Sequence, residues 1–251
     1  CSAVFRSIEE YDGVFSCILV HNDIMYVARD PIGVRPLFMG KKDGKFLYSS
    51  EIKSINNLCD NIEQFPPGSI WNSKDKKYYK YYNIDILYNK LGYVDKNNIL
   101  YTIKHYLTEA VKKRIMSDRP IGCLLSGGLD SSLVAAILQQ NISTKLKTFS
   151  IGLEGASDLE YAKKVADYIG SDHTEVIISE EDMFNAIPQV IKSIESYDTT
   201  TIRASTPMYL LSKYIHENTN ITVIYSGEGS DEASGSYLYF HKAPTYNEFR
   251  H

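Results

Sequence analysis

The spacing of apolar residues changes character partway along the chain. Between Val14 and Trp71 the apolar and aromatic positions fall in short runs: Val14 to Val20, Ile24 to Ala28, Pro36 to Met39 and Phe46 to Ser49. His21-Asn22-Asp23 and the stretch Lys41 to Gly44 separate them with polar, glycine-containing turns, the pattern of antiparallel strands in a sheet-rich domain. From Lys74 to Asn98 neither a helical nor an alternating period survives among the Lys, Asn, Asp and Tyr residues, so this stretch reads as a linker with the domain boundary near Tyr82. Beyond it, Ile99, Leu100, Ile103, Leu107, Ala110, Val111 and Ile115 recur at helical spacing and predict an amphipathic helix over Asn97 to Met116.

The rest of the chain alternates. Ile121 to Leu125, Leu146 to Gly152, His173 to Ile178 and Ile221 to Tyr225 read as strands; Ser131 to Gln140, Leu159 to Ile169, Met183 to Ser193 and Ala204 to Glu217 read as helices. This rhythm predicts an α/β domain, a parallel sheet with helices on both faces, whose ligands bind at the carboxyl ends of the strands.

Composition narrows the function classes. With 251 residues, 43% hydrophobic residues and a formal charge of -4, the chain is long enough for one large or two modest domains and lacks the general basic field that holds nucleic acid. No apolar run approaches the roughly 18 residues that span a bilayer, and no signal-peptide order opens the chain, so no membrane partner and a cytoplasmic protein are expected. The cysteines at 1, 17, 59 and 123 form no C-x-x-C pair and no metal-ligand spacing, which predicts reduced thiols.

The sharpest motif is S-G-G-L-D-S-S, Ser126 to Ser132, between a buried strand and a helix. Gly127 and Gly128 let backbone amides converge, Ser126 and Ser131 add hydroxyls, and the following helix presents its positive dipole end, which together make a phosphate cradle. It is no Walker A loop, because the lysine is missing. Asp130 would repel a phosphate unless a divalent cation lay between them, which implies Mg2+. The plain alternative is a glycine turn capped by serines and an aspartate.

A second acidic loop, S-G-E-G-S-D-E from Ser226 to Glu232, follows another strand. Ser226 and Gly227 can face the same nucleotide, Asp231 can share the metal with Asp130, and Glu228 is left for a further role. Taken alone, this loop also reads as a solvated turn. Between the two, Ser196 to Tyr209 gathers hydroxyls and one arginine before a helix; Arg203 can clamp a carboxylate in bidentate fashion or be a surface residue beside a helix cap. Cys1, with the initiator methionine removed, would place a thiol beside a free α-amine whose pKa of about 7.7 to 8.0 suits it as the base for its own nucleophile.

These residues resemble known families. Ser126, Gly128, Asp130 and Ser131 resemble the loop of the pyrophosphate-loop ATP pyrophosphatases, a likeness that implies ATP cleavage between the α and β phosphates and contacts from Leu125 and Ile151 to the nucleotide. The S-G-E-G-S-D-E loop and Arg203-Ala204-Ser205-Thr206-Pro207 are similar to asparagine synthetases of the glutamine-hydrolysing type. That likeness implies that Glu228 supports formation of β-aspartyl-AMP and that Thr200, Thr201 and Arg203 contact aspartate. Val27 to Leu37, Ser50 to Lys53 and Phe65 to Ser69 are similar to the N-terminal-nucleophile glutaminase domain, with Cys1 as its nucleophile.

The resemblance implies an incomplete α+β amidotransferase domain over 1–82 and a synthetase domain, shortened at its carboxyl end, over 83–251. Cys1 to Phe5 run almost directly into Asp12 to Ser16, without the segments that hold glutamine and form the oxyanion hole in these enzymes. The family's later helical region, a source of basic residues, has no counterpart after Pro244. The implied reaction uses ATP, Mg2+, aspartate and glutamine or ammonia; a homodimer is one assembly open to it. Another amide-forming synthetase on the same scaffold and a non-catalytic nucleotide-binding remnant are the competing readings.

Overall fold

The computed structural model describes residues 2–83 and 95–245; Cys1, residues 84–94 and residues 246–251 lie outside the described residues. The chain divides into two compact units, Cys1–Val94 and Asp95–His251.

In the first unit, α1 (Ser2–Glu9) precedes an antiparallel sheet of β1 (Ser16–His21), β2 (Ile24–Arg29), β6 (Ser69–Asn72) and β7 (Lys77–Lys80), in the order β1-β2-β6-β7. A second antiparallel sheet orders β4 (Lys45–Ser49), β3 (Phe38–Lys42) and β5 (Asn61–Gln64). Side chains alternate along β2: Tyr26 and Ala28 pack with Val4, Ile8 and Ile70, whereas Val27 joins Leu37, Met39, Phe65 and Trp71 between the sheets. The hairpin turns are shorter than the sequence suggests. Asn22 and Asp23, then Asp43 and Gly44, take the paired positive φ values that a two-residue turn requires, while His21, Lys41 and Lys42 remain in strands.

The stretch read as a linker begins with a strand. All four side chains of β7 are exposed, and it is held by its pairing with β6, so no burial pattern could mark it. The Arg-Asp segment serves as a buried clasp in this unit. Arg29, 3% exposed, donates to the carbonyls of Arg35, Phe65 and Gly33, each at 2.7 Å, while the Asp30 carboxylate accepts from the amides of Val34 and Arg35.

The second unit opens with α2 (Lys96–Arg114), capped by Asp95. Only its C-terminal half joins the core, through Leu107, Val111 and Ile115; Ile99, Leu100 and Ile103 are exposed despite their spacing. A parallel sheet follows, with β8 (Ile121–Leu124), β9 (Lys147–Leu153), β10 (Asp172–Ile178) and β11 (Val223–Tyr225) in the order β10-β9-β8-β11. One face packs Cys123 and Leu125 against α3 (Leu129–Asn141) and α4 (Ser157–Ile169). The other packs Phe149 and Ile151 against α6 (Thr199–Asn218), which α5 (Glu180–Ile194) accompanies. A short α7 (Ser230–Ser234) follows β11. The chain leaves β8 towards β9 and β10 on one side and returns to β11 on the other, so β8 and β11 flank a topological switch point, where open parallel sheets bind ligands.

Candidate functional site

Because β8 and β11 are paired neighbours, with Tyr225 opposite Cys123, the segments that follow them leave the sheet side by side. A Cβ on Gly227 would lie 3.0 Å from the Ser131 amide nitrogen and 3.2 Å from the Asp130 Cβ, which places the two loops backbone against backbone. Gly127, at φ +80°, passes so close to α4 that a Cβ would lie 2.5 Å from the Ala162 nitrogen.

The first loop is tied by its own hydroxyls. Ser126 Oγ and Ser131 Oγ are 2.9 Å apart, the Ser126 amide donates to Ser131 Oγ, and Ser132 Oγ donates to the Gly128 carbonyl at 2.6 Å. Gly128 starts α3 without a side-chain cap, leaving the first amides of a 13-residue helix facing the loop.

Ser126, Asp130 and Ser131 line one cavity of about 220 Å³ together with Ser226, Gly227, Glu228 and Asp231. The sequence reading missed Met208, Glu232 and Tyr237, which also line it. Tyr237 donates to Glu232 at 2.7 Å, and Ser236 donates to Asp231. A smaller adjoining cavity of about 100 Å³ shares Leu124, Ser126 and Met208 and is bordered by Leu125, Phe149, Ser150 and Ile151. Phosphate-loop hydroxyls on one side and apolar strand tips on the other suit a ligand with an anionic tail and a flat ring.

Four carboxylates line the larger cavity, from Asp130, Glu228, Asp231 and Glu232, and among the described residues no lysine, arginine or histidine does. A triphosphate entering it meets repulsion unless a cation comes with it. Among the described residues no group of three or more His, Cys, Asp or Glu could hold a metal ion unaided. That donor set fits magnesium, which is held through one or two carboxylates plus phosphate oxygens and water.

Arg203 is placed elsewhere. It lines a groove between α5 and α6 with Met183, Phe184 and Ile202, and neither it nor Thr200 or Thr201 lines the loop cavity. The Thr201 amide and hydroxyl both donate to Asp198, the N-cap of α6. The hydroxyl-rich segment read as an acceptor clamp therefore starts a helix, and the turn of that helix carries Met208, not Arg203, to the loops.

A family model described as Asparagine synthase matches residues 102–251, which takes in both loops and every strand of the parallel sheet. The chain belongs to the asparagine synthase family. A second family model, described as Glutamine amidotransferase domain, matches residues 3–57. Asparagine synthetase [glutamine-hydrolyzing] 1 of Lotus japonicus is 44% identical over an alignment that takes in 99% of this chain and 45% of the relative. The root asparagine synthetase [glutamine-hydrolyzing] of Pisum sativum is 43% identical over 99% of this chain and 46% of its own length. This member of the family thus spans less than half the length of those relatives. Among solved structures, the NH3-dependent NAD synthetase from Campylobacter jejuni covers 55% of this chain and 60% of its own at 19% identity, with a TM-score of 0.39. No helix among the described residues is long and apolar enough to cross a membrane.

Proposed function

We propose that this chain carries the ATP-cleaving site of a glutamine-hydrolysing asparagine synthetase. One observation carries the reading: the two loops after β8 and β11 line a single cavity at the switch point of the sheet. In this reading the β and γ phosphates lie against the amides at the start of α3 and the hydroxyls of Ser126 and Ser131, with Ser226 and Gly227 closing the other side. Leu125 and Ile151 border the base.

Mg2+ held by Asp130 and Asp231 would neutralise charge on the departing pyrophosphate. A carboxylate oxygen of aspartate attacks the α phosphorus, the bond to pyrophosphate breaks, and β-aspartyl-AMP forms. Glu228, whose carboxylate accepts no hydrogen bond among the described residues, is free to support that step. Ammonia then attacks the activated carbonyl and AMP leaves, giving asparagine. The ammonia comes free in solution or from glutamine through Cys1, and we place the reaction in the cytosol. We assign no acceptor contact to Arg203.

The test is exchange of radiolabelled pyrophosphate into ATP. Exchange that requires both aspartate and magnesium, and that is abolished by Asp130→Asn with the fold retained, is the expected result. Exchange that ignores aspartate, or survives Asp130→Asn, would remove the assignment.

A further inference from the structure

The carboxylates that line the larger cavity are held unequally. Among the described residues the side chains of Asp130 and Glu228 make no hydrogen bond or ion pair, whereas Asp231 and Glu232 each accept a hydroxyl hydrogen.

The turn after α7 makes the difference. Asp231 and Glu232 lie in the first turn of a five-residue helix that stops at Gly235, whose left-handed backbone (φ 65°, ψ 33°) folds the chain back. Ser236 and Tyr237 are thereby returned to the residues five positions earlier. The Ser236 amide donates to the Asp231 carbonyl at 3.2 Å, and the Ser236 hydroxyl donates to Asp231 Oδ1. Tyr237 likewise donates to Glu232 Oε1 at 2.7 Å. Ser236 thus grips Asp231 at backbone and side chain together, yet it does not line the cavity itself.

A carboxylate can only accept, so the one hydrogen of Ser236 Oγ is committed to Asp231. A hydrogen bond to an ionised oxygen is charge-assisted, draws electron density from Oδ1 and fixes the plane of the carboxylate. Oδ2 accepts no hydrogen bond among the described residues and is the oxygen left for a ligand. Asp231 is therefore set to offer a cation one oxygen and not two. The number matters to which cation is taken. Mg2+ is small, demands near-octahedral geometry and keeps several waters beside one or two carboxylates, whereas Ca2+ gathers about six to eight oxygens and readily takes both from one carboxylate.

We propose that Ser236 is a positioning residue that presets Asp231 to give one oxygen, and so selects Mg-ATP over Ca-ATP at the two loops. The assignment rests on the reading given above, in which Asp231 helps to hold the metal. Ser236 acts only through Asp231.

Calorimetric titration of the whole chain with Mg-ATP and with Ca-ATP tests the proposal. The parent chain is expected to bind Mg-ATP the more tightly. Ser236→Ala keeps the amide bond to the Asp231 carbonyl and removes only the hydroxyl. It is expected to weaken Mg-ATP by on the order of tenfold and Ca-ATP less, so that the Mg:Ca ratio narrows. Ser236→Thr, which puts a hydroxyl back at the same place, is expected to return the ratio to that of the parent. An unaltered ratio in Ser236→Ala overturns the proposal, whether both affinities hold or both fall together, because an equal fall is what a purely structural role of the turn would give. Equal binding of the two complexes by the parent chain, or a ratio in Ser236→Thr that matches Ser236→Ala, overturns it too. These results leave nucleotide binding at the two loops in place. If neither complex binds the parent chain, the reading of the two loops fails first and the role of Ser236 falls with it.

Discussion

A methyl group added to Gly227 would meet the Ser131 amide at 3.0 Å and the Asp130 carbonyl carbon at 3.1 Å, both backbone atoms that cannot swing aside. Relief requires the two loops to part, and with them the phosphate hydroxyls and the carboxylates of Asp130 and Asp231. Gly227→Ala should weaken Mg-ATP binding by on the order of tenfold or more, because a small misplacement of binding groups is costly. The cost in folding stability should be only about 1–3 kcal/mol, as for other overpacked contacts. Calorimetric titration and thermal melting of the same variant separate the two effects; unchanged affinity would mean that loop contact is irrelevant to the ligand. Ser126, Asp130 and Asp231 could be named from the sequence as candidates by residue type and by position after a strand, and they line one cavity. The approach of Gly227 to the first loop could not, since it depends on which strands become neighbours. That Arg203 lines the groove between α5 and α6 was hidden for a related reason: adjacency in sequence to a hydroxyl cluster says nothing about which face of α6 it occupies.

At the level of elements, burial pattern decides what sequence can reveal. The helices α3, α4, α5 and α6 each bury one side, and the hydrophobic period marks them closely. β7 buries nothing, and β6 buries all four of its residues, so neither alternates. In α2 the period is present but the apolar face of its first half is exposed, so period alone overstated what this helix buries. β8 shows the opposite extreme. It lies inside the parallel sheet, and its Cys123 is fully buried, with the thiol pushed up to about 12 by desolvation. Without thiolate or access, Cys123 should stay unmodified by iodoacetamide near pH 8 until the chain unfolds. Peptide mass mapping before and after denaturation checks this; labelling of Cys123 in the native protein would contradict the central position of β8.

For the molecule as a whole, acid stability follows from where helices and histidines sit. Among the described residues α1 is the only α-helix of the first unit, so helical circular dichroism reports chiefly on the second, the unit that contains His173. Burial lowers the His173 pKa in the folded state, whereas an unfolded histidine titrates near 6.5. As pH falls below that value the unfolded chain takes up the proton first, and the difference in bound protons drives unfolding. The stability contributed by a neutral, hydrogen-bonded His173 is therefore complete above the unfolded value and is lost as pH falls towards the folded one. Asp182 and Asp198, held below the usual carboxylate range by hydrogen bonds from Ser179 and Thr201, lose their contributions only at lower pH. The melting midpoint seen by helical circular dichroism should thus fall between about pH 7 and about pH 5.5. His173→Gln should begin from a lower midpoint at neutral pH, having lost the hydrogen bonds of the imidazole with Thr148 Oγ1 and Ser150 Oγ, yet fall less steeply across that interval. Parallel slopes for the two proteins would show that His173 titrates alike in the folded and the unfolded chain, against the lowering by burial.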